Sequence, residues 1–230
     1  MKTILIFQYF DCRDATRKAE FIDCINHNIS LGFDEIIIFN ESVDPPFSGS
    51  NIKNVRTNKR LSYRDYIEVV TNPAYFGSLI ILTNTDIKLD PKILGLPLKE
   101  RGLFVFSRYE QNKLLAETPW ATQDTWALLG QPLAKGVWLQ TEFPLGVPGC
   151  ELRFAEIIYS AGLAVFNPCL SIKNIHIHSE QKPHSDEDRL YGAYVYTPAC
   201  TLEDISLGKR EKFPAAAYLT AFMAEPARIH

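Results

Sequence analysis

The chain has 230 residues, a net charge of −3, and 46% hydrophobic against 22% charged residues; that length buries a sizeable core and fits one α/β domain with an appendage. The near balance of charge, with no basic run, argues against nucleic acid or an anionic membrane as a partner held by bulk charge. The five cysteines, Cys12, Cys24, Cys150, Cys169 and Cys200, are never spaced as CxxC, which argues against a disulfide framework or structural zinc and points to a reducing, cytoplasmic compartment.

Residues 3–10 read as a first strand. Their apolar run, Ile4 to Phe7, is too short for a signal core, and no stretch approaches transmembrane length. A polar turn at 11–16 leads into a helix over 15–31, where Ala19, Ile22, Ile25 and Ile29 recur at helical spacing and Gly32 is the stop. Residues 36–39 are a second, apolar strand. Pro45, Pro46 and Gly49 make 40–50 a loop, and 52–56 form an edge-like strand. Residues 61–70 read as a helix with Tyr63, Tyr66, Ile67 and Val70 on one face, Ser62 and Asp65 at its start, and Asn72-Pro73 at its end.

The apolar run at 79–82 has the length of a buried strand and stops in Thr83-Asn84-Thr85-Asp86. A short helical or turn segment at 91–98 precedes a buried strand at 103–106, which ends in Ser107-Arg108-Tyr109-Glu110. Strands alternating with helices imply parallel pairing and helices on both faces of the sheet.

The second half is less regular. Residues 119–129 carry Trp120, Gln123, Asp124 and Trp126, and 144–149 form a glycine- and proline-rich loop. Residues 151–161 read as a helix ended by Gly162, 163–166 as a short strand, and 171–178 as an alternating stretch ending in His176-Ile177-His178. The last forty residues have no clear periodicity. With no internal repeat, the expectation is one domain over 1–179 and a C-terminal extension over 180–230 packed on it.

Asn84 and Asp86 are two apart, so in extended chain both point the same way, about 7 Å apart. An amide and a carboxylate on one side suit a hard divalent cation completed by phosphate oxygens; either residue can instead cap the next helix. His176 and His178 also share a side, and one can complete coordination begun by Asp86, unless the pair is structural or solvated. Asp124 and Glu151 are candidates for a general base; each also suits a helix first turn. Arg60, Arg64 and Arg108 offer planar forks to phosphate, though Arg60 and Arg64 equally suit a solvated helix face. Trp120 and Trp126 are a sugar platform or buried aromatics. No GxGxxG follows the first strand, and GxxxxGK[ST] and GxSxG are absent, which weighs against a dinucleotide dehydrogenase or P-loop enzyme.

Taken in order, Asn84-Thr85-Asp86-Ile87, Ser107-Arg108-Tyr109-Glu110, Gln123-Asp124-Thr125-Trp126, the segment from Pro144 to Glu151, and Asn167-Pro168 ahead of His176-Ile177-His178 resemble a GT-A-type glycosyltransferase. The similarity runs from residue 3 to about 179. It implies a GT-A-like, Rossmann-like α/β fold with a mainly parallel central sheet. It also implies a nucleotide diphosphate sugar as donor, a carbohydrate or other hydroxyl acceptor, and Mn²⁺ or Mg²⁺ as cofactor. In such enzymes an Asp-x-Asp motif ends a central strand and binds the metal with the donor's diphosphate, and a late histidine often adds a ligand. Here an amide replaces the first carboxylate. By resemblance Asp86 holds the metal with His176 or His178, Asn84 contacts the donor ribose or the metal, and Arg60 and Arg108 join the donor site. Glu151 is expected as the base, with Asp124 on the acceptor or donor sugar. The loop at 144–149, or the segment 179–188, is expected to order over the donor and keep water out. Two alternatives stand beside this reading: a non-catalytic nucleotide- or carbohydrate-binding module of the same fold, and a sugar nucleotidyltransferase.

Overall fold

The apolar runs of the first half become the middle of a seven-stranded sheet. The structure, a computed structural model, describes residues 1–41, 46–96, 102–178 and 189–208. In chain order the elements are β1 (Thr3–Tyr9), α1 (Ala15–Ser30), β2 (Glu35–Asn40), β3 (Ile52–Arg56), α2 (Tyr63–Val70), β4 (Leu79–Thr83), β5 (Ile87–Lys88), β6 (Gly102–Ser107), β7 (Gln123–Leu129), α3 (Lys135–Gln140), α4 (Cys150–Ser160), β8 (Ala164–Phe166), β9 (Ile175–His176) and α5 (Leu202–Ser206). The large sheet has the order β3-β2-β1-β4-β7-β6-β8, which puts β4 at its centre, and β5 pairs with β9 in a separate small sheet.

The sheet is mainly parallel, as the alternation of strands and helices predicts, with β7 as the exception. It pairs antiparallel with both β4 and β6. The physical reason is the connection. A parallel neighbour needs a crossover that carries the chain back to the starting edge. Between β6 and β7 the chain instead turns back at the edge where β6 ends, with Arg108 N donating to Thr122 O at 3.1 Å. The alternative of a helix starting at Asp124 is therefore corrected: Asp124 lies within β7.

Burial explains why these strands read as continuous apolar runs. Ile4 and Ile6 of β1, Ile80 and Leu82 of β4, and Trp126 and Leu128 of β7 join one core with Tyr63, Tyr66 and Ile67 of α2 and Phe154 and Ile158 of α4. The intervening Leu5, Phe7, Leu79, Ile81 and Ala127 join a second core with Ile25 of α1 and Phe104 and Phe106 of β6. Alternate residues thus serve opposite faces, and both faces are covered by helices. Each fully buried Ile or Leu contributes roughly 1.5–3 kcal/mol.

Helix starts follow their local chemistry. Ser62 and Asp65 form the capping box of α2, and Asp14 caps α1 by accepting from Thr16 N and Arg17 N. Because β1 ends at Tyr9 and α1 begins at Ala15, the first turn of α1 lies at the carboxyl edge of the sheet. The alternating stretch at 171–178 yields only the two residues of β9. The described residues beyond it reach both cores through Val195, Cys200 and Ile205. All five cysteines are free. No helix among the described residues is long and apolar enough to cross a membrane. Residues 179–188, expected as part of a cover over the donor, lie outside the described residues.

Candidate functional site

A cleft of about 640 Å³ opens where β1 and β4 end, lined by residues including Gln8, Asn84, Asp86, Asp124, Glu151 and His176. The carboxyl ends of the strands are where open α/β sheets place ligands.

Asp86 sits in the turn between β4 and β5, and the small sheet brings the histidines to it. Ile87 pairs with His176, Ile177 N donates to Asp86 O at 2.8 Å, and His176 N donates to Tyr109 O at 2.8 Å. Buried Asn28 of α1 braces β5 and the residue after it. Its Nδ2 donates to Ile87 O at 2.8 Å, and its Oδ1 accepts from Leu89 N at 2.9 Å. The result is a group of one ligand atom each from Asp86, His176 and His178, all within 4.8 Å of one another. A carboxylate and two imidazoles fit Mn²⁺ or a similar borderline ion better than Mg²⁺, which prefers an all-oxygen shell. Both histidines belong to this group with Asp86.

His176 Nε2 lies 3.2 Å from Asp86 Oδ2. Its Nδ1 makes no hydrogen bond and stands 3.6 Å from Glu110 Oε2. Burial works against a charge on His176, but the hydrogen bond and charge of Asp86 outweigh it and hold the imidazole pKa above its ordinary value. Burial likewise pushes Asp86 up, and His176 and Arg17 together bring it below the usual carboxylate range. Burial, then the charge of Arg17, lowers His178.

Asn84 faces a different partner. Its Nδ2 donates to Asp124 Oδ1 at 2.6 Å, while its backbone N donates to Asp124 O at 3.0 Å. Arg108 Nη1 holds the other carboxylate oxygen of Asp124 at 3.2 Å, and its Nε reaches Glu110 at 3.0 Å. Burial raises the pKa of Asp124, and the charge of Asp86 adds to it against the opposing pull of Arg108. The Asn84 amide is therefore engaged in orienting a carboxylate from the neighbouring strand.

Glu151 opens α4 just after Gly149, which adopts φ 84°. It lines the same cleft, and burial, helped by the charge of Asp124, pushes its carboxyl up to about 7. It lies in the first turn of α4 and borders the cleft. The preceding loop is pinned at Leu145, whose N donates to Leu61 O at 2.9 Å.

The arginines separate. Arg60 and Arg108 line the cleft. Arg64 turns elsewhere, pairing with Glu142 at 2.7 Å and lying over the Trp138 ring at 4.2 Å. The tryptophans differ too. Trp126 is 1% exposed and packs edge-on against Tyr63, with ring centroids 5.2 Å apart. Its place inside β7 packs the ring in the core beside α2, and the residue also borders the cleft. Trp120 is 44% exposed and is not among the residues lining the cleft.

Gln8 and Arg17 are among the cleft residues that the sequence alone does not single out. Gln8, near the end of β1, donates through Nε2 to Lys59 O at 3.0 Å and accepts at Oε1 from Leu61 N at 2.7 Å, fixing the stretch that carries Arg60. The signal was a polar residue closing an apolar strand. Arg17 reaches Asp86 from α1. Its signal was a cation in a helix first turn, where the dipole disfavours positive charge.

No family model and no curated protein matches this chain. Among solved structures it is similar to a Drosophila β-1,4-galactosyltransferase 7 variant in complex with manganese, UDP-Gal and xylobiose, with 14% identity over 86% of each chain and a TM-score of 0.47.

Proposed function

We propose that the chain is a glycosyltransferase that moves a sugar from a nucleotide diphosphate sugar to a hydroxyl acceptor. The observation that carries this reading is one cleft lined both by the Asp86–His176–His178 cluster and by Glu151, whose carboxyl burial pushes up to about 7. A leaving diphosphate gathers negative charge in the transition state and needs cations near it. Asp86, His176 and His178 would hold a divalent ion, Mn²⁺ before Mg²⁺, which supplies Lewis-acid stabilisation of that charge when bound. Arg60 and Arg108 add fixed positive charge along the same cleft.

An acceptor hydroxyl must lose a proton as it attacks. Glu151 suits that task, because a base whose pKa lies near the working pH is both available and strong enough. Arg108 and Asn84 fix Asp124 with one oxygen each, which leaves its remaining lone pairs for sugar hydroxyls. The 144–149 loop supports water exclusion, since residues 145–149 border the cleft.

The test is incubation with a panel of nucleotide diphosphate sugars and Mn²⁺, following nucleoside diphosphate release. Asp86→Asn keeps the size and removes the charge, and it is expected to lower both Mn²⁺-dependent donor binding and turnover. Unaltered turnover in that variant would refute the metal role. Release of pyrophosphate instead would indicate a nucleotidyltransferase, and binding without turnover a non-catalytic module.

A further inference from the structure

Arg17 is not a free surface arginine. Its Nη2 donates to Asp86 Oδ2 at 2.8 Å, and its Nη1 donates to Ile177 O at 3.1 Å and pairs with Glu20. Its guanidinium also lies over the Phe21 ring, 4.7 Å from the centroid. These contacts hold a permanent positive charge on the same carboxylate oxygen that His176 approaches.

We propose that Arg17 is a resident counter-cation of the Asp86–His176–His178 cluster, competing with a divalent ion for the Asp86 carboxylate and keeping metal affinity low until an anionic ligand enters. This rests on the metal reading of the cluster given above.

The geometry sets the strength of the competition. An ion bonded to Asp86 Oδ2 at about 2.2 Å lies no more than about 5 Å from Nη2, because Nη2 is 2.8 Å from that oxygen. The Arg17 and Asp86 side chains are only 17% and 18% exposed, so water screens the repulsion incompletely. The ion must either accept this repulsion or displace the guanidinium from Asp86, Ile177 O and Glu20 together. Either way its affinity falls. A diphosphate brings negative charge to the same place, offsets the repulsion, and so raises metal affinity. By linkage the metal raises the affinity for the anion by the same factor.

The experiment is a calorimetric titration of the full chain with Mn²⁺ alone at constant pH, repeated with pyrophosphate present, for wild type, Arg17→Met and Arg17→Lys. Met fills the space without the charge; Lys keeps the charge without the fork. Without pyrophosphate, Arg17→Met is expected to bind Mn²⁺ at least about tenfold more tightly, and Arg17→Lys within about threefold of wild type. Pyrophosphate is expected to tighten Mn²⁺ binding several-fold more in wild type than in Arg17→Met. Unchanged or weaker binding in Arg17→Met overturns the proposal and makes Arg17 an organiser of the ligands. If Arg17→Met does not fold, Arg17→Gln carries the same expectation. Failure of every protein to bind Mn²⁺ overturns this inference and the metal reading, whereas metal-independent release of nucleoside diphosphate would leave glycosyl transfer standing.

Discussion

Asn84, one residue past the end of β4, and Asp124 of the adjacent antiparallel β7 meet side chain to side chain, with the amide Nδ2 donating to the carboxylate Oδ1 at 2.6 Å. An aspartate at position 84 would put two carboxylates at that distance, inside a region where burial already raises the pKa of Asp124. Like charges so close do not both ionise. The amide is the residue that lets Asp124 keep its charge while giving it a donor.

Introducing a second carboxylate is therefore predicted to harm the protein. Asn84→Asp should lose roughly 1–3 kcal/mol of stability near neutral pH. The native pair would bind more protons than the unfolded chain, so stability falls as pH rises. Melts at pH 5 and pH 8 check this: the deficit should be larger at pH 8. An equal deficit at both would mean that the lost hydrogen bond alone accounts for it.

Glu151 carries a paired prediction of activity and stability. Glu151→Gln should lower turnover at saturating donor by about 10²–10⁴. In wild type, kcat/KM should rise with pH through the value near 7 to which the carboxyl is pushed. The stability effect has the opposite sense. Between its ordinary value of 4.5 and about 7, the native state holds a proton that the unfolded chain has released, so this carboxyl lowers stability as pH rises through that window. Removing it should make Glu151→Gln more stable than wild type at pH 8 by at most roughly 3 kcal/mol, less where the carboxylate still meets water. No such gain is expected at pH 4. A large fall in turnover in Asp124→Asn with Glu151→Gln nearly intact would reverse the two roles.

Gly149 tests how the loop positions Glu151. Its φ is +84°, and a Cβ there would meet Tyr194 Oη at 2.8 Å and Leu190 O at 3.1 Å. Gly162 has nearly the same φ, +85°, with nothing within 4 Å of a Cβ. Gly162→Ala should cost about 1 kcal/mol from backbone strain alone and leave activity intact. Gly149→Ala should cost more, up to roughly 3 kcal/mol, and reduce turnover because Glu151 lies two residues on. Equal Tm losses in the two variants would show that the Tyr194 contact gives way easily.

Much of this architecture was legible in residue order. Apolar runs at β1, β2, β4 and β6 declared buried strands because residues on both faces of such a sheet must be apolar. The helical spacing of Tyr63, Tyr66, Ile67 and Val70, with Ser62 and Asp65 before them, specified α2 and its start through local hydrogen bonding. Asp86, shortly after an apolar run, marked the sheet edge where the cleft lies, and His176 and His178 stood two apart as a pair of imidazoles.

What tertiary structure decided depends on contacts between residues far apart in the chain. The reversal of β7 follows from where its connection runs, and no periodicity within 123–129 encodes strand direction. That reversal places Asp124 against Asn84, forty residues earlier in the chain. The β5–β9 pairing, braced by Asn28, carries His176 to Asp86 over a separation of ninety residues. Arg17 joins them because α1 begins at the carboxyl edge beside β4. Local propensity sets each element, but hydrogen-bond register and packing between distant segments set which side chains meet.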